Sequence, residues 1–370
     1  MPKVSVILTS YNHGKYIREA IDSVLNQTYA DFELIIWDDC SSDDSWRIIN
    51  NYTDPRVKAY CNDKTIGGGY GINKAILEIA LGEYIAIHHS DDVWEPEKLQ
   101  KQVEFLDDNP ELGAVFTNAL AIGENSQPLD VGEKHYYSTI FDQPNRTRFE
   151  WLNYFFYKGN ALCHPSVLIR KLCYCECGVY QYRHGLAQLG DFDMWIRLCL
   201  KYEIYVLPEK LVRFRVRANE ANTSGSRPES RIRAATEYHQ VLKNYLKLSN
   251  FRELMAVFPN LSLYCCVEGY EPRFLLAMAA LESNTQAYSQ LFGIELLFDL
   301  IADEKSALKI KTLYGFDYLD LIKITGKQDV FSIELIRKEA EFNQVLNNTY
   351  WKMTMPLRRL SAFLLNKTLY

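Results

Sequence analysis

Residues 4–14 read Val4-Ser5-Val6-Ile7-Leu8-Thr9-Ser10-Tyr11-Asn12-His13-Gly14. The first five form a short, largely apolar and β-branched run, which predicts a buried strand. The next six are polar or small, so the run stops in a loop. Directly beyond it Ile17, Ala20, Ile21, Val24 and Leu25 recur at helical spacing, and 15–27 reads as an amphipathic helix.

The same alternation continues outward. Buried strands are expected at 32–37, 57–60, 84–88 and 113–117. Between them 45–51 reads as a short helix, and 71–81 as a helix with Ala75, Ile76, Ile79 and Ala80 on one side. Pro96 is placed to open a helix running to about 107, since proline suits a first helical turn. Strands alternating with helices imply an α/β fold, with a mainly parallel sheet sandwiched by helices. In such sheets ligands sit beyond the carboxyl ends of the strands. Three polar clusters fall there: Thr9–Gly14, then Asp38-Asp39-Cys40-Ser41-Ser42-Asp43, then His89-Ser90-Asp91-Asp92. Their coincidence on one rim says more than any one of them alone.

Further along, 123–148 reads as a long loop, and 152–214 as ordered chain with a helix near 191–201. The stretch 218–228 is linker-like, and helical periodicity dominates from Glu229 onward. These shifts divide the chain into an α/β domain at 1–225 and a helical C-terminal domain at 226–370.

Composition narrows the class. The 370 residues are 48% hydrophobic and 24% charged, an ordinary globular profile, and the formal net charge of −6 gives no basic bias toward nucleic acid. The first residues lack the pattern of a signal peptide, and no stretch has the apolar length of a spanning helix. Nine scattered cysteines, an odd number, suit a reducing cytoplasm. The run Cys173-Tyr174-Cys175-Glu176-Cys177 is spaced poorly for wrapping one ion and reads as structural cysteines. The end of the chain, 350–367, is basic, aromatic and apolar; it suits either an anionic membrane surface or a helix docked on the protein.

Each candidate site residue has a plainer alternative. Asp91 and Asp92 form a carboxylate pair at the end of a buried strand, where a divalent cation would neutralise them; Asp92 alone equally suits helix capping. Asp39 can accept a hydrogen bond from a nucleobase imide, with Tyr11 stacking on the base, or Asp38 and Asp39 can serve the next helix. The run Gly67-Gly68-Gly69-Tyr70-Gly71 can approach phosphates or be a flexible loop. Asp191 opens a helix, so it either complements the helix dipole or acts as a general base.

Taken together, these residues resemble the family 2 glycosyltransferases, which have the GT-A fold. The resemblance covers about 3–225. It is carried by the opening strand with Ala20-Ile21-Asp22-Ser23-Val24-Leu25-Asn26-Gln27-Thr28, and by Glu33-Leu34-Ile35-Ile36-Trp37-Asp38-Asp39. Asp91-Asp92-Val93-Trp94-Glu95-Pro96, His164-Pro165-Ser166 and Asp191-Phe192-Asp193-Met194-Trp195 add to it. It implies an inverting transferase for a nucleotide diphosphate sugar, a UDP-sugar by default and a dTDP-sugar as the other option. The acceptor would be a hydroxyl of a glycan or a lipid-linked acceptor in cell-surface polysaccharide synthesis, at the inner face of the membrane. By position, Thr9, Tyr11, Asp39 and Asn73 would bind the donor, Asp91 would hold manganese or magnesium against the diphosphate, and Asp191 would be the base. Three positions depart from the usual pattern: His89 where many relatives have Asp, Gly190 where many have Glu, and Ile72 where an Arg is frequent. His89 can bind the metal or only hydrogen-bond. Lys74, Arg215 and Arg217 are the candidates to replace the cation missing at Ile72. The competing reading is a catalytically silent nucleotide-sugar scaffold.

Overall fold

The computed structural model describes residues 1–129, 137, 139–180, 185–222, 224–225, 227–264, 269–282 and 285–347. The segment 350–367, with its expected membrane contact, lies outside these residues. The chain parts into two compact units, Met1–Leu276 and Ala277–Tyr370. The first therefore extends past the composition change near 225. The reason is visible in Tyr238 and Tyr245, whose buried hydroxyls donate to the carbonyls of Phe155 and Leu152.

The first unit is built on one eight-stranded sheet. In chain order its elements begin β1 Val4–Ser10, α1 Ile17–Leu25, β2 Phe32–Asp38, α2 Ser45–Ile49, β3 Val57–Cys61 and α3 Gly68–Lys74. They continue β4 Tyr84–His89, β5 Val93–Trp94, α4 Lys98–Asp108, β6 Leu112–Ile122, α5 Arg148–Lys158, β7 Leu168–Arg170, α6 Lys171–Cys177, α7 Gly190–Cys199 and β8 Glu203–Arg215. Helices α8 Pro228–Leu242 and α9 Phe251–Val257 follow.

The strand order is β3-β2-β1-β4-β7-β6-β8-β5. Strands β3, β2, β1 and β4 run parallel to one another, and β6 is parallel to β8. The expected parallel sheet thus holds for its main strands, with two short antiparallel members, β7 and β5. Every residue of β2 is buried, as are all of β1 except the half-buried Thr9, which is why both read as continuous strands. Helix α1 buries Ile17, Ala20, Ile21 and Val24, the stripe its spacing predicts.

The helix expected over 71–81 starts earlier and changes pitch. It runs α-helical from Gly68 to Lys74 and then as a π-helical turn, Ala75–Ile79. Gly71 is needed at the first stage, because a Cβ there would lie 2.6 Å from the Trp37 ring. Helix α4 begins at Lys98, two residues after Pro96, whose carbonyl is engaged by the Thr28 N–H at 2.9 Å and hydroxyl at 3.2 Å.

Helix α10 spans Pro272–Ala280, and the second unit continues with α11 Ala287–Ala302, α12 Glu304–Tyr314, α13 Tyr318–Thr325 and α14 Ile333–Asn347. Its core includes Phe292, Leu297 and Leu300. Asp303 and Asp317 cap the starts of α12 and α13, and Gly315, at φ 66°, ends α12 in the left-handed conformation that glycine adopts without strain.

Candidate active site

Parallel register brings the three polar clusters together. Ser10 pairs with Asp38, and Thr9 lies beside Trp37 on one side and His89 on the other. They border one cleft of about 1600 Å³, lined also by Tyr11, Asn12, His13, Asn160, Asp191 and Arg217.

The first two clusters are stitched into one wall. Asn12 takes φ 53°; its backbone N–H donates to the Ser41 hydroxyl, and its side-chain oxygen accepts from the Ser42 N–H at 2.8 Å. The Gly14 N–H donates to Asp43 Oδ2 at 2.8 Å, while Asp43 Oδ1 accepts from the Ser45 N–H at the start of α2. Asp43 thus serves the helix, which leaves Asp38 and Asp39 for the loops. Asp39, 6% exposed, accepts from the Asn62 side chain at 2.7 Å and from the N–H groups of Ile66 and Gly67 at 2.9 and 2.8 Å. Its carboxylate folds the glycine-rich loop against the cleft. Tyr11 is 48% exposed and lines that same wall.

The third cluster is the acidic one. Potential ligand atoms of His89, Asp91 and Asp92 all lie within 4.8 Å of one another. Asp92 is 1% exposed. Its Oδ1 accepts from the Arg215 backbone N–H at 2.7 Å, but its Oδ2 has no hydrogen-bond donor among the described residues and faces His89 Nδ1 at 3.4 Å. Burial raises the Asp92 pKa to about 6, aided by the nearby Asp91 charge, against the pull of His89. An orphaned, buried carboxylate oxygen is costly, and a divalent cation would satisfy it. Two carboxylates and an imidazole form a donor set suited to manganese or magnesium, so these residues fit such an ion.

His89 is oriented from behind. Its Nε2 lies 3.2 Å from His164 Nδ1, His164 Nε2 lies 3.0 Å from the Tyr180 hydroxyl, and that hydroxyl lies 3.0 Å from the Tyr174 hydroxyl. Burial lowers the His164 pKa well below its ordinary value, with His89 adding to it, so His164 is a neutral link. Burial also works against a charged His89, but Asp92, Asp91 and Asp191 together turn the balance and raise it. The open side of His89, Nδ1, is the side turned to Asp92.

Across the cleft, Asp191 sits in the first turn of α7. Its Oδ1 accepts from the Phe192 N–H at 2.7 Å and its Oδ2 from the Asn160 amide at 3.1 Å. Burial raises its pKa to about 6, against the effect of these donors and of His89. Such a carboxylate is ionised at neutral pH yet more basic than an ordinary Asp.

Asn73 stands differently from the other expected donor residues. Its amide nitrogen donates to the Tyr180 carbonyl at 2.8 Å, and its oxygen accepts from the Tyr180 N–H at 3.1 Å. It joins α3 to the chain after α6. Ile72 is 3% exposed in the same helix. The cysteines of α6 are free: Cys173 is buried, Cys175 exposed and Cys177 half-buried, with no metal cluster there among the described residues. Asn160 and Glu237 are site neighbours that no local motif marked; His13 lay within the Thr9–Gly14 cluster but was given no role of its own.

Comparison with known proteins follows the same lines. A family model described as glycosyl transferase family 2 matches residues 5–170. An uncharacterized glycosyltransferase of Methanocaldococcus jannaschii is 30% identical over 220 residues, covering 58% of this chain and 71% of its own length. The chain belongs to glycosyl transferase family 2. Among other relatives of this glycosyltransferase is the Escherichia coli UDP-Glc:alpha-D-GlcNAc-diphosphoundecaprenol beta-1,3-glucosyltransferase WfaP, 40% identical over 107 residues, 29% of this chain and 42% of WfaP. The solved structure of S. aureus TarS 1–349 in complex with UDP superposes with a TM-score of 0.54 at 18% identity, covering 85% of this chain and 93% of that one. The glycosyltransferase therefore has the GT-A fold. No helix among its described residues is long and apolar enough to cross a membrane.

Proposed function

We propose that this glycosyltransferase moves a sugar from a nucleoside diphosphate donor to an acceptor hydroxyl with inversion at the anomeric carbon. The observation that carries the reading is the pairing, in one cleft, of the His89-Asp91-Asp92 cluster with an Asp191 carboxylate whose pKa is raised to about 6. Thr9 and Tyr11 face the nucleoside. Asp39 and Asn73 serve the donor by holding the loop 62–67 and helix α3 in place. Asp91 and His89, with Asp92, would hold a divalent metal. When bound, that metal supplies Lewis-acid stabilisation of the departing diphosphate.

The chain's own residues do the rest. Asp191 takes the proton of the acceptor hydroxyl as its oxygen attacks the anomeric carbon. The bond from that carbon to the diphosphate oxygen breaks, and the electron pair leaves with the nucleoside diphosphate. Asn160 keeps Asp191 turned into the cleft. UDP is the first donor to test, because WfaP uses a UDP-sugar and TarS binds UDP; a dTDP-sugar is the second. The diphosphoundecaprenol-linked acceptor in WfaP's name supports a lipid-linked acceptor; a glycan acceptor, polysaccharide synthesis and work at the inner membrane face belong to the same proposal.

The deciding experiment measures melting temperature and donor hydrolysis with UDP- and dTDP-sugars, with and without manganese, for wild type and Asp91→Ala. Binding to the folded state should raise the melting temperature by mass action. A metal-dependent shift lost in Asp91→Ala, with slow donor hydrolysis by wild type, is expected. No shift and no hydrolysis with any nucleotide sugar would overturn the reading in favour of a silent scaffold.

A further inference from the structure

Three cations stand near the place where the diphosphate would lie, and the structure separates them. Arg215 is 0% exposed, with its guanidinium already distributed: Nε donates to the Asp91 carbonyl at 2.7 Å, Nη1 to Gly123 at 2.9 Å and Nη2 to Glu19 at 2.7 Å. It is a structural pin beneath the acidic cluster. Lys74 lies over the rings of Trp37 and Tyr70, each 5.7 Å from the ammonium. Lys74 and Arg217 both line the cleft, but of the three cations Arg217 is the one turned to the side chain of the proposed metal ligand Asp91. Its Nε lies 3.3 Å from Asp91 Oδ2 and has no hydrogen-bond partner among the described residues.

What holds Arg217 there is weak in charge. Its Nη1 donates to His13 Nε2 at 2.8 Å. The other ring nitrogen of His13 lies 2.7 Å from the Ser90 hydroxyl, and burial lowers the His13 pKa, so the imidazole accepts as a neutral group. Nη2 donates to the Ala221 carbonyl. Among the described residues the guanidinium thus meets one full charge, Asp91, and two neutral acceptors.

We propose that Arg217 is the diphosphate-binding cation of this enzyme, held on Asp91 as its resident counter-ion and exchanged off it when a divalent metal binds. The proposal rests on the reading of Asp91 as the metal ligand. A metal on Asp91 Oδ2 and a guanidinium close to the same oxygen repel each other, so the two occupy it in turn. Released, the guanidinium offers paired N–H donors whose fork matches phosphate oxygens, and the metal beside it requires that same anion. The exchange supplies a positive charge for the leaving group although the helix position at Ile72 carries none. No bond is made or broken in this step; one ion pair replaces another.

The test uses the full chain, with manganese alone followed by half-saturated UDP, each titrated by calorimetry and by the manganese paramagnetic resonance signal. Wild type, Arg217→Met, Arg217→Lys and Asp91→Asn are compared, with circular dichroism to show that each is folded. Removing the resident cation should let Arg217→Met bind manganese alone about tenfold more tightly, and bind UDP in the presence of manganese about tenfold more weakly. Arg217→Lys should recover part of the UDP affinity, because it keeps the charge without the fork. Manganese affinity unchanged or reduced in Arg217→Met would overturn the exchange, and UDP affinity unchanged would overturn the diphosphate role. Manganese binding untouched by Asp91→Asn would instead sink the metal assignment, and the exchange with it, leaving the UDP comparison to judge the diphosphate contact separately.

Discussion

Glu237 accepts a hydrogen bond of 2.7 Å from the backbone N–H of Leu189, the residue just before α7. The same carboxylate accepts from the N–H groups of Gln188 at 2.8 Å and Ala187 at 3.0 Å, and it is 5% exposed. One side chain from α8 therefore holds the whole approach to Asp191 and places a negative charge near a helix N-terminus. Glu237→Ala leaves three donors to find other partners. A loss of about 2–4 kcal/mol is expected, with kcat falling more than the donor KM changes, because Asp191 loses its placement. Thermal melting and steady-state kinetics read both; a variant that melts and turns over like wild type would refute the role.

The pKa of about 6 for Asp191 makes two predictions of opposite sign. As the proposed base, Asp191 must be ionised to act, so the rate should fall as pH drops through about 6, and Asp191→Asn should lose on the order of 10²- to 10⁴-fold in kcat. Stability runs the other way. The folded pKa is raised, so between about pH 4 and pH 6 the folded state keeps a proton that the unfolded chain has released, and stability declines as pH rises through that window. Asp92 contributes in the same direction. Melting curves should show Asp191→Asn level with wild type near pH 4 and gaining on it until pH passes about 6.

Lys98 is 0% exposed, donates to Gln102 Oε1 at 2.7 Å, and lies 3.9 Å from the centre of the Trp94 ring. Burial pulls its pKa well below the ordinary value. The unfolded chain then binds a proton that the folded chain does not, so wild-type stability rises with pH up to the ordinary lysine range. Lys98→Met removes that slope. At neutral pH the substitution should lie within about 1 kcal/mol of neutral, since it strips Gln102 of one donor but ends a buried amine. Its relative stability should worsen as pH climbs; urea titrations at neutral and alkaline pH would show a parallel response if the idea is wrong.

Gly82 admits no side chain. A Cβ there would sit 2.4 Å from the Ser5 nitrogen and 2.7 Å from the Val4 carbonyl carbon, both backbone atoms of the central strand β1. Gly82→Ala should cost about 3 kcal/mol or more. At Gly123 the nearest atom to such a Cβ is 3.5 Å away, so Gly123→Ala should change stability by less than about 1 kcal/mol. Urea midpoints of the two variants test the contrast.

Much of this was legible because it was local. Strands β1, β2 and β4 are buried on both faces and read as apolar runs, and parallel register then had to bring their ends together. That placed Thr9, Tyr11, His89 and Asp91 on one rim before any coordinates. Strand β8 was hidden because Pro208, Glu209 and Lys210 interrupt it with three exposed residues, at the irregular register opposite Thr117 and Asn118. What the sequence could not show were partners far along the chain. Asn73 meets Tyr180 across 107 positions and His13 meets Arg217 across 204, and no periodicity encodes such pairs. Asp39 was recognised as important, but its attachment to the loop at 62–67 depends on how that loop folds back.

The reciprocal bond between Asn73 and Tyr180 bears on how such enzymes can be recombined. Asn73 grips the main chain of its partner and leaves the side chain out of the bargain. The seam itself asks only for the N–H at position 180, which proline lacks, while the Tyr180 hydroxyl is kept for its separate contact with His164. Segments from divergent homologues could be spliced on either side of it, and the joint would survive the change of sequence.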